Sequence, residues 1–310
     1  MKVYYQLNEF HRLPCAVVTS GTFDGVHAGH QALLRRVREK ALACHGESVV
    51  LTFWPHPRLV VSPSDQPLQL LSTIEEKIEL LAESGIDHLL ILPFHREFSE
   101  MTAENYVQKI LVDGIGTCQL VIGYDHRFGK NRSGDMAYLQ AHQETFGFQV
   151  EEISKQEIDH LTISSTQIRQ ALQTGHLELA TELLGRPYSF EGVVVKGRQL
   201  GRTIGFPTAN VMVNEPYKLI PPHGVYAVEA FVRGDWYPGM MNIGTRPTVE
   251  GTGRTHEVHI FKFNQDIYGE HMKVRLHRWI RPERKFGSLP ELQTQIHLDQ
   301  DQIEQFFASM

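Results

Sequence analysis

Two histidines, His27 and His30, stand three residues apart in GTFDGVHAGH (21–30), a stretch that also holds Gly21, Gly25 and Gly29. Glycines permit tight turns and close approach of the backbone to a ligand. Imidazole N–H groups can donate to an oxyanion whose charge grows during reaction. The stretch follows an apolar run, CAVVTS (15–20), and leads into an amphipathic one, HQALLRRVREKALACHG (30–46). It therefore falls where a strand becomes a helix, and the free amides and dipole of a helix N-terminus favour an anion such as phosphate. Gly21, Phe23, Asp24, Gly25, His27 and His30 are the phosphate-binding candidates of this turn. A glycine-rich turn with two surface histidines is the plain alternative.

A second stretch, ISSTQIR (163–169), offers similar chemistry. Ser164, Ser165 and Thr166 supply hydroxyls and helix-start amides, and Arg169, one turn on, adds a fixed cation with planar donors. Alone, it reads equally as an ordinary N-cap. In GRTIGFPTAN (201–210), Gly201 and Gly205 allow a tight loop and Pro207 stiffens it. Thr208 and Asn210 then present neutral oxygens on the same side of an extended segment, a donor set suited to Mg²⁺. Read plainly, it is a turn leading into a strand. VKGRQLGR (195–202) places Lys196, Gly197, Arg198 and Arg202 on a loop that could cover nucleotide phosphates or be a solvated basic turn. Glu257 in THEVHIFKF (255–263) shares one face of an alternating strand with His259 and Phe261, as a general base or as a solvent-facing carboxylate.

The elements that must position these residues fall into two patterns. CAVVTS, ESVVLTF (47–53), DHLLILPF (87–94) and CQLVIG (118–123) read as strands. The 30–46 segment, STIEEKIELLAESG opened by a Ser72/Glu75 capping box, and TAENYVQKILVDG (102–114) read as the helices between them. Such alternation predicts a Rossmann-like, doubly wound parallel sheet that binds ligands beyond the carboxyl ends of its strands. Two short helices closed by Gly175 and Gly185 follow. After them FEGVVVKG, GVYAVEAFVRG, THEVHIFKF and MKVRLHRWI predict a small antiparallel barrel. A helix over 288–307, opened by a Ser288/Glu291 capping box, packs against it. The predicted domains are 1–185 and 186–310.

A length of 310 residues with 41% hydrophobic content suits two cores, and a formal net charge of -6 gives no field to hold a nucleic acid. Cys15, Cys44 and Cys118 form no Cys-x-x-Cys pair, so neither a disulfide framework nor a cysteine zinc site is expected and a reduced, cytoplasmic setting is. No apolar run approaches the ~20 residues that span a bilayer, and the N-terminus lacks the apolar stretch of a signal peptide. No membrane association and no obligate protein partner are expected.

GTFDGVHAGH with ISSTQIR resembles the signature pair of the HxGH nucleotidyltransferases. TFWPHPR (52–58), GYDHRFG (123–129) and LGRPY (184–188) make the chain similar to the bacterial FAD synthetases, bifunctional riboflavin kinase/FMN adenylyltransferases, and GFPTAN resembles the flavokinase signature. The resemblance implies that the N-terminal domain transfers AMP from ATP to FMN by direct attack of the FMN phosphate on the α-phosphorus, releasing pyrophosphate. It implies that the barrel phosphorylates riboflavin with ATP and Mg²⁺. By the same resemblance His27 and His30 stabilise the transition state, and Ser164, Ser165, Thr166 and Arg169 hold the triphosphate. His56 and Asp125 orient the substrates, and Glu257 accepts the proton of the ribityl 5′-hydroxyl. Gly197, Arg202, Gly205, Pro207, Thr208 and Asn210 form the kinase ATP site, the last two also binding the metal. Tyr124 and His126 depart from the usual GDDFRFG form, and RPERKF (281–286) departs from a commoner Arg-Asp-Glu form. Rival readings are an enzyme active in one half only and a flavin-binding sensor without turnover.

Overall fold

β-Branched and leucine-rich runs bury themselves on both faces of the first sheet. In a computed structural model that describes residues 1–61, 68–153, 163–197, 200–248 and 251–310, the chain divides into two compact units, Met1–Ser165 and Thr166–Met310. The first contains six parallel strands, β1 (Lys2–Tyr4), β2 (Ala16–Ser20), β3 (Glu47–Trp54), β4 (His88–Pro93), β5 (Thr117–Gly123) and β6 (Gln149–Ile153), in the order β1-β4-β3-β2-β5-β6. Successive residues alternate between two cores: Val18, Val49, Leu51, Leu90, Leu120 and Ile122 on one face, Val17, Val50, Leu89, Ile91 and Val121 on the other. A sheet buried on both sides is what parallel strands joined by helices require.

The helices of this unit are α1 (Ala28–Ala43), α2 (Pro57–Val61), α3 (Ile74–Glu83), α4 (Arg96–Ser99), α5 (Ala103–Tyr106) and α6 (Met136–Phe146). Leu33, Leu34, Val37 and Ala41 put α1 on the second core. The predicted Ser72/Glu75 capping box falls one residue later: Thr73 Oγ1 accepts from the Glu76 amide and the Glu76 carboxylate accepts from that of Thr73. The Ser72 hydroxyl is instead engaged by the Gly25 amide, at 3.1 Å. The segment predicted as one helix over 102–114 begins as α5 and widens into a π-helix, Val107–Ile115, that ends at left-handed Gly116. The cysteine expectation is corrected as well. Cys15 and Cys118, separated by 103 residues, form a disulfide because β2 and β5 lie side by side. Spacing along the chain carries no trace of that neighbourhood.

The second unit holds α7 (Ser165–Gln173), which starts on the last residue of the first, then α8 (Leu177–Leu184), α9 (Leu200–Thr203) and α10 (Leu289–Ala308). Its strands β7 (Tyr188–Val195), β8 (Ala209–Met212), β9 (Gly224–Val232), β10 (Asp235–Thr248), β11 (Gly251–Ile260) and β12 (His271–Arg281) form the predicted antiparallel barrel, closed in the order β10-β11-β8-β7-β12-β9. Ile303 on α10 packs with Phe206, Ala227, Met240 and Phe261. Ser288 caps α10 as expected, accepting from the Glu291 amide, but the Glu291 carboxylate accepts from Gly287 rather than completing the box with Ser288.

Candidate active sites

In the first unit, strand order reverses between β2 and β5, where an open parallel sheet leaves a crevice. GTFDGVHAGH leaves the carboxyl end of β2 and GYDHRFG that of β5. The first loop is strained: Phe23 and Val26 both adopt positive φ, +47° and +38°, conformations that bulky and β-branched residues rarely take. Asp24, 1% exposed, holds the loop there. Its carboxylate accepts from the amides of Leu71 and Ser72, at 2.9 and 3.2 Å, while a Cβ on Gly25 would lie 2.7 Å from Leu71. Lys77, fully buried beneath Trp54, faces Asp24. Loss of hydration pushes its ammonium down to about 8, and the Asp24 charge opposes that shift.

His27 caps α1 with its own ring, Nδ1 accepting from the His30 amide at 3.3 Å. An accepting Nδ1 carries no proton, so in the neutral ring Nε2 carries the N–H. The His30 ring stacks on that of His27 with centroids 3.6 Å apart, and Phe23 packs against it at 5.0 Å. His56, 4% exposed, has the same tautomer for the same reason, since its Nδ1 accepts from the Arg58 amide. The Ser165 hydroxyl donates to the Asp24 carbonyl at 3.0 Å, which ties the second motif to the first. Ser164 precedes α7, Thr166 is exposed on its first turn, and Arg169 is buried one turn on.

Asp125 is exposed at the tip of GYDHRFG, beside half-buried His126. Burial pushes the His126 imidazole down to about 4, and Arg132 adds to the shift, so this ring is neutral at pH 7. Below it Phe128 contacts Tyr106, with centroids 5.2 Å apart, and the Tyr106 and Ser20 hydroxyls share a 2.7 Å hydrogen bond. The loop after β5 is thereby linked to the end of β2.

In the barrel, three side chains meet through strand register. Glu257 on β11 pairs with Asn210 on β8 and with Asn242 on β10, and directly opposed residues of antiparallel strands point the same way. His256, Val258 and Ile260 face the core, which puts half-buried Glu257 and His259 on the other face of β11. Thr208 Oγ1 donates to Glu257 Oε2 at 3.5 Å, and His259 Nδ1 donates to the Pro207 carbonyl at 2.7 Å, clamping the PTAN loop over the strand. A Cβ on Gly197 would collide with the Asn210 side-chain amide, so the glycine lets that amide lie close against the backbone. Gly205 takes φ +87°, and Pro207 and Arg202 are exposed. Arg198 lies outside the described residues.

Two residues absent from the sequence-based set belong to this patch. Asn242 stands outside every motif read above, and only register shows it opposite Glu257. Glu283, in the RPERKF segment that departs from the commoner form, presses its carboxylate on Gly244, where a Cβ would also lie 3.1 Å from Asn242 Nδ2. Arg281 just before it is gripped by Asp299 of α10 through hydrogen bonds of 2.8 and 3.0 Å.

The FAD synthetase family profile matches residues 10–167 and the riboflavin kinase profile residues 184–307. The bifunctional riboflavin kinase/FMN adenylyltransferase of Pseudomonas fluorescens is 41% identical over 284 residues, 91% of this chain and 90% of its own. The protein of that description from Escherichia coli (strain K12) is 42% identical over 292 residues, 94% of this chain and 92% of its own, and that from Bacillus subtilis (strain 168) is 36% identical over 300 residues. A crystal structure described as a macrolide-efflux protein from Streptococcus pneumoniae superposes with a TM-score of 0.87, at 32% identity over 97% of both chains. Among the described residues no helix is long and apolar enough to cross a membrane. With both halves matched, each by its own profile, and relatives aligned over nearly their full length, the chain belongs to the family of bifunctional riboflavin kinases/FMN adenylyltransferases.

Proposed function

We propose that the barrel phosphorylates riboflavin with ATP and that the parallel-sheet unit transfers AMP from a second ATP to the resulting FMN. The observation that carries the kinase half is the row Asn210–Glu257–Asn242, with Thr208 bonded to Glu257. The Glu257 carboxylate takes the proton of the ribityl 5′-hydroxyl as that oxygen attacks the γ-phosphorus and ADP leaves. Thr208, Asn210 and Glu257 offer oxygen donors only, a set that fits a hard cation. Mg²⁺ held by Thr208 and Asn210 would neutralise charge on the ATP phosphates. Gly197, Arg202, Gly205 and Pro207 shape the nucleotide side of this site.

For adenylyl transfer the FMN phosphate attacks the α-phosphorus of ATP and pyrophosphate leaves, with no covalent enzyme intermediate. The Nε2–H of His27 and the ring of His30 meet the growing negative charge, and Ser164, Ser165, Thr166 and Arg169 hold the triphosphate. Gly21, Phe23, Asp24 and Gly25 shape the turn, with Asp24 acting by anchoring it. His56 and Asp125 orient the substrates. We assign 1–185 to this activity and 186–310 to the kinase, in keeping with profiles that end at 167 and begin at 184, and we place the enzyme in the cytoplasm, with its co-substrate ATP. Incubation with riboflavin, ATP and Mg²⁺, followed by chromatography over time, yields FMN and then FAD. Failure to convert either riboflavin or supplied FMN would overturn the reading.

A further inference from the structure

The cysteines take no part in the chemistry above, yet every cysteine of the chain converges on one spot. Cys15 directly precedes β2, Cys44 caps the C-terminus of α1 and Cys118 is the second residue of β5. Their sulfurs lie within 4.8 Å of one another, at the amino ends of the two strands whose carboxyl ends carry GTFDGVHAGH and GYDHRFG. Cys15 and Cys118 are joined, and Cys44 Sγ sits 3.5 Å from Cys15 Sγ. Gly46 keeps room for the group: a Cβ there would lie 3.0 Å from Cys44 Sγ and 3.1 Å from Cys15 Sγ. Cys44 is exposed and the other two are half-buried.

A purely structural disulfide has no use for a third sulfur. Thiolates bound to one Zn²⁺ at ~2.3 Å lie ~3.8 Å apart, which three sulfurs already confined within 4.8 Å reach with small side-chain rotations. We propose that reduction of the Cys15–Cys118 bond converts this cluster into a three-thiolate site for a soft or borderline d¹⁰ cation, Zn²⁺ or Cu(I). A dithiol reductant supplies the two electrons. One of its thiolates attacks one sulfur of the disulfide and expels the other cysteine as a thiolate; its second thiol then attacks the reductant's own sulfur in the mixed disulfide and expels the remaining cysteine, so Cys15 and Cys118 are left as thiols beside the cyclic, oxidised reductant. Cation binding then releases the thiol protons. The exposed side at Cys44 leaves a fourth position for water. The oxidised chain cannot bind the cation there, because two of the three ligands are consumed by the bond.

The test uses the full chain, reduced with a phosphine and titrated with Cd²⁺, whose thiolate charge-transfer absorption reports sulfur ligation and ignores the chain's histidines. One equivalent binds with that absorption. Oxidation with diamide before titration abolishes it, and renewed reduction restores it. Cys44→Ser, at an exposed position that leaves the fold intact by circular dichroism, weakens binding about ten-fold or more. Absence of the absorption in the reduced chain, or an unchanged titration in Cys44→Ser, overturns the proposal.

Discussion

At the scale of single residues, function depends on what a side chain is denied as much as on what it carries. Gly197 is the clearest case: Gly197→Ala drives a methyl into the Asn210 amide, and riboflavin phosphorylation should fall by about ten-fold or more while supplied FMN is still converted to FAD. Separate assays of the two steps check this. Lys77 shows a cost of burial. Its pKa falls from 10.5 to about 8, so below about pH 8 native and unfolded chains both hold the proton and the penalty is constant, about 3 kcal/mol. Between about 8 and 10.5 the unfolded chain binds more of that proton than the native one, so stability rises with pH across this window. Lys77→Met should flatten the rise, as read by denaturant unfolding of both proteins at a series of pH values. Sequence exposed the chemical side chains at this scale, because His-x-Gly-His and PTAN are local in the chain. Asn242, Glu283 and the Cys15–Cys44–Cys118 cluster were not legible, because each owes its place to partners 15 or more residues away in the chain.

At the scale of elements, the site is held by joints between strand, loop and helix. The Asp299 carboxylate, 2% exposed, grips Arg281 at the end of β12 and also accepts from Gln295. This fastens α10 to the segment that lays Glu283 on Gly244. Removing one partner of a buried ion pair typically costs about 3–5 kcal/mol, so Asp299→Ala should unfold the barrel at lower denaturant and depress riboflavin phosphorylation before FAD formation from FMN. Thr73→Ala removes one half of a reciprocal cap at α3 and should cost about 1 kcal/mol, seen as a lowered Tm. Strand positions were legible from their apolar runs, and so was the alternation that gives a parallel sheet. The exact helix starts were not: Ser72 and Thr73 are both competent caps, and a contact with Gly25, 47 residues away in sequence, decides between them. The π-helical widening after α5 leaves no mark in local composition.

At the scale of the whole molecule, two separate family profiles match the chain, over 10–167 and 184–307, and substitutions should separate the two activities. His30→Ala should lower FAD formation by about 10²–10³ while FMN accumulates. Glu257→Gln should block FMN formation by about 10²–10⁴ while supplied FMN is still adenylylated. An equimolar mixture of the two variants should make FAD from riboflavin, with FMN passing through solution, which chromatography of the mixture checks against each variant alone. Strand order has a further consequence, for how the chain emerges during synthesis. All strands of the parallel sheet are complete by Ile153, but the barrel closes only when β12 pairs with both β7 and β9. At ~5–20 residues per second, the last 145 residues take about 7–30 s to make. Throughout most of that interval the nascent protein can hold a finished parallel sheet while the barrel is still a set of unpaired edges, the stage at which a growing chain is most exposed to wrong partners.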